Sequence, residues 1–251
     1  LPSFPAAEWT ALPWYRPFLQ PMIPVPPQHS CWMPPERWCS MDKKFAIFDM
    51  DGTLIDSMVY WQRLASEYLF SRGVTPAQIP ADLPERIKTV TVTGAAALFI
   101  ELFGFSGTPE GIAAEINAVM DEHYRRDIPL KPGMKEYLTA LRQNGTALCV
   151  ASATAAPLME ACLSRLGVRQ DFAFLLSCED VGKGKDSPEI YLQAARRLGC
   201  APCDAAVFED AIFAAKTAKA AGFYVVGVYD DSAKDRWSEM SALADETVLH
   251  W

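Results

Sequence analysis

The sequence predicts an α/β protein, a doubly wound parallel sheet interrupted by an all-helical insertion. Three observations predict it. Short apolar runs alternate with helical patterns from Lys44 onward. The runs "FAIF", "ALCVA" and "AAVF" are almost continuously apolar, as strands buried on both faces are. Residues 57–130 read as helices alone.

The first strand is expected at 44–49, where an apolar run ends in aspartate. Helices follow at 57–72, 81–89, 94–104 and 109–126. A structureless loop of that length is implausible, so 57–129 is read as a helical cap domain. Residues 41–56 and 130–251 then form the core domain. The segments "TLIDS" and "IPLKPG" lie side by side as hinges about which the cap rocks. Strands are expected next at 146–151, 172–177, 205–209 and 223–228. Helices near 133–144, 155–166, 188–199 and 211–221 alternate with them. The helix at 188–199 starts at Ser187, Pro188 and Glu189, a favourable helix opening.

Residues 1–40 have a different character, with 10 of the 19 prolines, four of the seven tryptophans and no glycine. They read as an unfolded, proline-rich extension. Alternatively "PMIPVPP" forms polyproline II and docks in an aromatic groove. "MDKKFAIFD" looks like a natural start, which makes Met41 the expected initiator. An intact mass of the native protein that includes residues 1–40 would refute this.

The 251 residues are 50% hydrophobic with a net charge of −8, enough for a substantial core. No basic block occurs, which argues against nucleic acid. No apolar run approaches the roughly 18 residues of a membrane helix, and the N-terminus lacks a signal-peptide pattern. Seven scattered cysteines argue against a disulfide framework and for reduced thiols in the cytoplasm.

In a parallel sheet, ligands bind outside the carboxyl ends of the strands. Asp49 ends the first strand, and Asp51, two residues on, can face the same pocket. Asp56 adds a third aspartate to the stretch. Gly52 permits the sharp turn that follows. Asp-Gly pairs also make ordinary surface turns, and the pattern alone leaves both readings open. "VASAT" puts Ser152 and Thr154 after the second strand, to hold an anion or to cap a helix. "VFED" puts Glu209 and Asp210 at another strand end, again as site or cap. Lys185 precedes a helix and can reach inward; Lys183 competes for that role, and two solvated lysines are the alternative. Four such signals at successive strand ends are hard to assign to chance.

Taken together, "DMDGT" at 49–53, "SAT" at 152–154, Lys185 in "KDSPEI" and "ED" at 209–210 resemble the haloacid dehalogenase (HAD) superfamily. The likeness spans 44 to about 229. The insertion after the first motif and "LKPGMKEYL" resemble the β-phosphoglucomutase and phosphoglycolate phosphatase branch. The resemblance implies a Rossmann-like core with a helical cap and Mg²⁺ as cofactor. The ion's ligands would be Asp49, Asp210 and the backbone carbonyl of Asp51, with Glu209 auxiliary. It implies Asp49 as nucleophile, Asp51 as general acid and base, and Lys185 and Ser152 as stabilisers of the transferring group. The phosphate-binding set is Ser152, Ala153, Lys185 and Gly52. A cation beside Asp49 is also expected to keep that nucleophile ionised.

The expected function is therefore Mg²⁺-dependent hydrolysis of a small phosphorylated metabolite, with no nucleic acid or membrane partner. A phosphosugar mutase is the first alternative, but such mutases carry a histidine ten residues beyond the second aspartate, where this chain has Trp61. A non-catalytic binding protein using the proline-rich arm is the second; every reactive position being filled argues against it. Three positions depart from the branch: Ala211 for serine, Ala214 for glycine and Asp186 for proline. Tyr60, Trp61 and "TVTG" at 91–94 are candidates for the cap face of the pocket, or for packing between cap helices. "CAPC" at 200–203 has no second pair and lies in a loop entering a strand, and His123 has no ligand neighbours in sequence. Both read as structural.

Overall fold

The computed structural model describes residues 43–87 and 90–251. The expectations for residues 1–40 and for Met41 lie outside the described residues. Six parallel strands run in the order β3-β2-β1-β4-β5-β6. They are β1 (Phe45–Phe48), β2 (Ala147–Ser152), β3 (Leu175–Ser177), β4 (Ala205–Glu209), β5 (Tyr224–Val228) and β6 (Glu246–Val248). From β1 the chain builds outward through β2 and β3, then returns to lay β4 on the other side of β1. The strand order therefore reverses at β1, which is where such sheets bind ligands.

Both faces of the sheet are covered, which is why its strands are continuously apolar. On one face Ile47, Val207 and Val225 pack with Ile190, Ala194 and Ala215. On the other, Phe48 stacks on Phe208 with ring centroids 4.2 Å apart, and Tyr137 meets Phe48 edge-on. The successive residues Ile47 and Phe48 thus serve opposite faces, as the strand period of two requires.

The covering helices are α5 (Met134–Gln143), α6 (Ala156–Arg165), α7 (Cys178–Val181), α8 (Glu189–Leu198), α9 (Ile212–Ala220) and α10 (Trp237–Leu243), which follow the helices α1 to α4 given below. Helix α8 stops at Gly199, whose φ of 75° is left-handed. The expected strand at 172–177 starts later, because Arg169–Asp171 form a 3₁₀ turn before it. The sequence reading lacked three elements. Helix α7 is one turn, capped by Ser177, too short to show a period. Helix α10 and the edge strand β6 form the last pair, and β6 has only three residues, of which Val248 alone is buried.

By contacts between backbone segments, the chain divides into two units. The described part of one is Tyr60–Glu122, and the other contains residues 43–59 and His123–Trp251. Helices α1 (Met58–Ser71), α2 (Leu83–Ile87), α3 (Val92–Phe103) and α4 (Pro109–Arg126) form the first unit, with α1 and α4 crossing its boundaries. Its interior holds Phe99 and Tyr68, with the Tyr68 hydroxyl donating to Glu115 Oε2 at 2.7 Å. Thr91 accepts from the Gly94 amide at the start of α3, so within "TVTG" this side chain is a helix cap.

The segments flanking the inserted unit are bonded to each other. Ile55 bridges antiparallel to Leu130, the Asp56 amide donates to Pro129 O at 3.0 Å, and the Lys131 amide donates to Leu54 O at 3.0 Å. Lys131 also reaches the end of β5, donating to Asp230 Oδ2 at 2.8 Å and to Tyr229 O at 3.1 Å. Burial pushes the Asp230 carboxyl up, but hydrogen bonds from Lys131 and Ser232 outweigh it and hold the group below the ordinary value. A carboxylate depressed in the fold stabilises above its unfolded value near ~3.9, and this is lost as pH falls through the lower folded value. Asp230→Asn is accordingly expected to cost about 3 kcal/mol by urea denaturation at pH 7, because it takes from Lys131 the anion that is hydrogen-bonded to it. That difference should shrink below about pH 4; an equal cost at both pH values would refute the charge argument.

Candidate active site

The strand ends β1, β2 and β4 bring most of the sequence-predicted residues together. Asp49 follows β1, and its amide donates to Phe208 O at 3.0 Å, extending the ladder to β4 by one bond. Glu209 ends β4 and Asp210 follows it, both buried. Ligand oxygens of Asp49, Glu209 and Asp210 lie within 4.8 Å of one another. Lys185 is 7% exposed, and its ammonium donates to Asp49 Oδ1 and, at 2.5 Å, to Glu209 Oε1. Lys183 is exposed, so the inward lysine is Lys185.

Neither acidic residue of "VFED" caps α9: its cap position is Ala211, with no side-chain bond. Asp210 Oδ1 accepts from Thr53 Oγ1 at 3.3 Å. Gly52 is required there twice over. Its φ is 74°, and a Cβ would lie 2.3 Å from Asp210 Oδ2.

Burial alone would strip the Lys185 proton, but Asp49 and Glu209 outweigh burial and raise its pKa above the usual lysine value. Asp49 shows the converse. Burial pushes its carboxyl well above the ordinary range despite Lys185, and Glu209, Asp210 and Asp51 push the same way. Burial thus opposes the charge that Lys185 favours on Asp49. Asp210 is pushed up to about 7 by burial and then by Glu209.

These residues fit a hard divalent cation. Three buried carboxylates gather hard oxygen ligands around one ammonium. The charge on Asp49 and on Asp210 is opposed by burial and by acidic neighbours unless a further cation joins them. Glu209 Oε2 is moreover buried with no hydrogen-bond partner.

Asp51 is half-buried and lies beside this cluster in the first motif. Its Oδ1 accepts from Tyr124 Oη at 2.6 Å and its Oδ2 from Thr154 Oγ1 at 2.5 Å. Thr154 is thus not the cap of α6, a position held by Ala155 without a side-chain bond. Ser152 is buried at the end of β2, and its Oγ accepts from the Thr154 amide at 3.1 Å. Ala153 is exposed. Asp56, whose amide bonds Pro129 O, is set apart from the group; burial raises its carboxyl, partly offset by Lys131. The "CAPC" segment leads into β4 at the opposite end of the sheet, and Cys200 Sγ donates to Ala195 O at 3.7 Å.

Two residues escaped the sequence reading. Tyr191, on the buried face of α8, donates to Glu209 Oε1 at 2.6 Å, so Glu209 is shared between a phenol and an ammonium. Tyr124 holds Asp51. Its available signal was a lone aromatic in the charged run "DEHYRRD", where a buried phenol needs an acceptor.

A buried acid cluster around one ammonium, at the reversal point of a parallel sheet, offers oxygen ligands for a divalent cation and a positive charge for an anionic group. Residues 43–222 match the model of the haloacid dehalogenase-like hydrolases. The chain belongs to this family, and it is an enzyme of the family's phosphatase group. It is 30% identical over 179 residues to hexitol phosphatase B of Escherichia coli (strain K12), covering 70% of this chain and 79% of that protein. Validoxylamine A 7'-phosphate phosphatase of Streptomyces hygroscopicus subsp. limoneus is 30% identical over 211 residues, 83% of this chain and 96% of that one. Among solved structures, one from Thermotoga maritima, whose assigned activity is that of a β-phosphoglucomutase, superposes with a TM-score of 0.70. Its identity is 26%, over 82% of this chain and 94% of that one. Among the described residues, no helix is long and apolar enough to cross a membrane.

Proposed function

We propose that the chain is a Mg²⁺-dependent phosphatase that hydrolyses a small phosphorylated metabolite, a sugar phosphate or similar monoester, through an aspartyl-phosphate. The observation that carries this reading is the Lys185–Asp49–Glu209–Asp210 cluster with Asp51 beside it. Asp49, Asp210 and the Asp51 carbonyl would hold the ion, with Glu209 auxiliary. When bound, Mg²⁺ supplies positive charge for the phosphoryl oxygens and offsets the mutual repulsion of the carboxylates.

Asp49 attacks phosphorus, forming its bond as the bond to the leaving oxygen breaks. Asp51 gives that oxygen a proton, then takes one from the water that cleaves the aspartyl-phosphate. Lys185, Ser152, the Ala153 amide and the Gly52 turn hold the phosphoryl group and stabilise its charge. The polyol and sugar-like substrates in the names of the relatives favour a hydroxylated carbon body. The cytoplasmic placement rests on the scattered cysteines.

A mutase reading is favoured by 29% identity over 200 residues to the β-phosphoglucomutase of Bacillus subtilis (strain 168) and by the likeness to the Thermotoga maritima structure. Trp61 in place of the mutases' histidine favours hydrolysis. Phosphate release by the full chain, assayed on hexitol, hexose and other monophosphates with and without Mg²⁺, tests the proposal. Mg²⁺-dependent release from a polyol or sugar monophosphate is expected. Isomerisation without release would favour the mutase, and silence on every ester would leave the binding-protein reading.

A further inference from the structure

We infer that Tyr124, clamped by Arg165, is a positioning residue that fixes the carboxyl plane of Asp51 for proton transfer to the leaving group. This rests on the reading of Asp51 as general acid and base. Tyr124 sits in the last turn of α4, where main-chain carbonyls lack helical partners. Arg165, on α6, donates to Tyr124 O from Nε at 3.3 Å and from Nη2 at 3.2 Å, and Nη2 also donates to Ile128 O at 2.5 Å. The backbone of Tyr124 is thereby held by one guanidinium, while its buried ring delivers the hydroxyl to Asp51 Oδ1.

The second oxygen of Asp51 is held independently. Thr154 Oγ1 bonds Oδ2, the Thr154 amide is anchored on Ser152 Oγ, and Thr154 Oγ1 lies 3.4 Å from Tyr124 Oη. A carboxyl group offers about four lone-pair sites on its two oxygens. One hydroxyl on each oxygen fixes the plane and still leaves a site on each for the travelling proton. Proton transfer depends steeply on such geometry, because the donor must sit within hydrogen-bond reach of the leaving oxygen.

The test compares leaving groups on the full chain with Mg²⁺ present. For a double-displacement enzyme kcat/KM reports steps up to phosphoenzyme formation. An alkyl monophosphate needs its leaving oxygen protonated, whereas p-nitrophenyl phosphate does not. Tyr124→Phe is expected to lower kcat/KM for the alkyl ester by about tenfold, and for the aryl ester by no more than about twofold. Asp51→Asn, measured alongside, should show a larger split of the same kind. If it shows none, the reading of Asp51 fails. If Asp51→Asn splits the substrates but Tyr124→Phe lowers both equally, or neither, the inference on Tyr124 is overturned. Should Tyr124→Phe fail to fold, Arg165→Lys carries the same test, since it loosens Tyr124 without altering its hydroxyl. An alkyl-selective loss supports the clamp and an even loss refutes it.

Discussion

Asp49→Asn is expected to remove turnover by at least about 10⁴-fold, because the amide cannot act as a nucleophile and no other group takes its place. The fold should survive. Asp49 sits among Glu209, Asp210 and Asp51, and burial already holds its carboxyl well above the ordinary range. A neutral amide of nearly the same shape relieves that repulsion, leaves Glu209 to pair with Lys185, and keeps the backbone bond to Phe208. The melting temperature should therefore stay level or rise while phosphate release disappears. Activity above a few per cent of the parent would rule Asp49 out as nucleophile. Lost activity with a lowered melting temperature would point instead to a structural role.

Chelating the divalent cation should give the second large effect, complete loss of turnover with the fold intact. The sheet does not depend on the ion: its two faces close on the Ile47 and Phe48 sides with apolar and aromatic contacts. The acid cluster does. At free Mg²⁺ about 100-fold above its dissociation constant, binding to the native state alone adds about 2.7 kcal/mol. For a domain of this size that is a rise of roughly 5–10 °C in melting temperature. Asp210→Asn should abolish both the rise and the activity. A rise that persists in Asp210→Asn would place the cation elsewhere, and full activity in excess chelator would remove it from the mechanism.

The main strands were legible because burial on both faces makes each a continuous apolar run. The candidate site residues were legible because they follow or end those runs: Asp49 after "FAIF", Ser152 at the end of "ALCVAS", Glu209 at the end of "AAVFE". The lysine could be narrowed only to two positions, and burial separated Lys185 from Lys183. Residues whose partners come from far along the chain left no local pattern. Tyr124 lies 73 positions from Asp51, and the Glu209 partner Tyr191 looks in sequence like any apolar position of α8. The sequence likewise displays the charges beside Asp49, but not the depth of its burial, which opposes the effect of Lys185.

The bonded pair of segments at Ile55 and Leu130 has a bearing on how such a chain can change over time. The inserted stretch leaves and rejoins the sheet-bearing part at points already clasped together, so the sheet is insulated from its length and sequence. Lengthening a loop between fixed ends costs only about 0.6 kcal/mol per doubling. Helices there can be exchanged, lengthened or rebuilt while Asp49, Lys185 and Asp210 keep their places. The inserted stretch is thereby free to vary without disturbing the acid cluster at the strand ends.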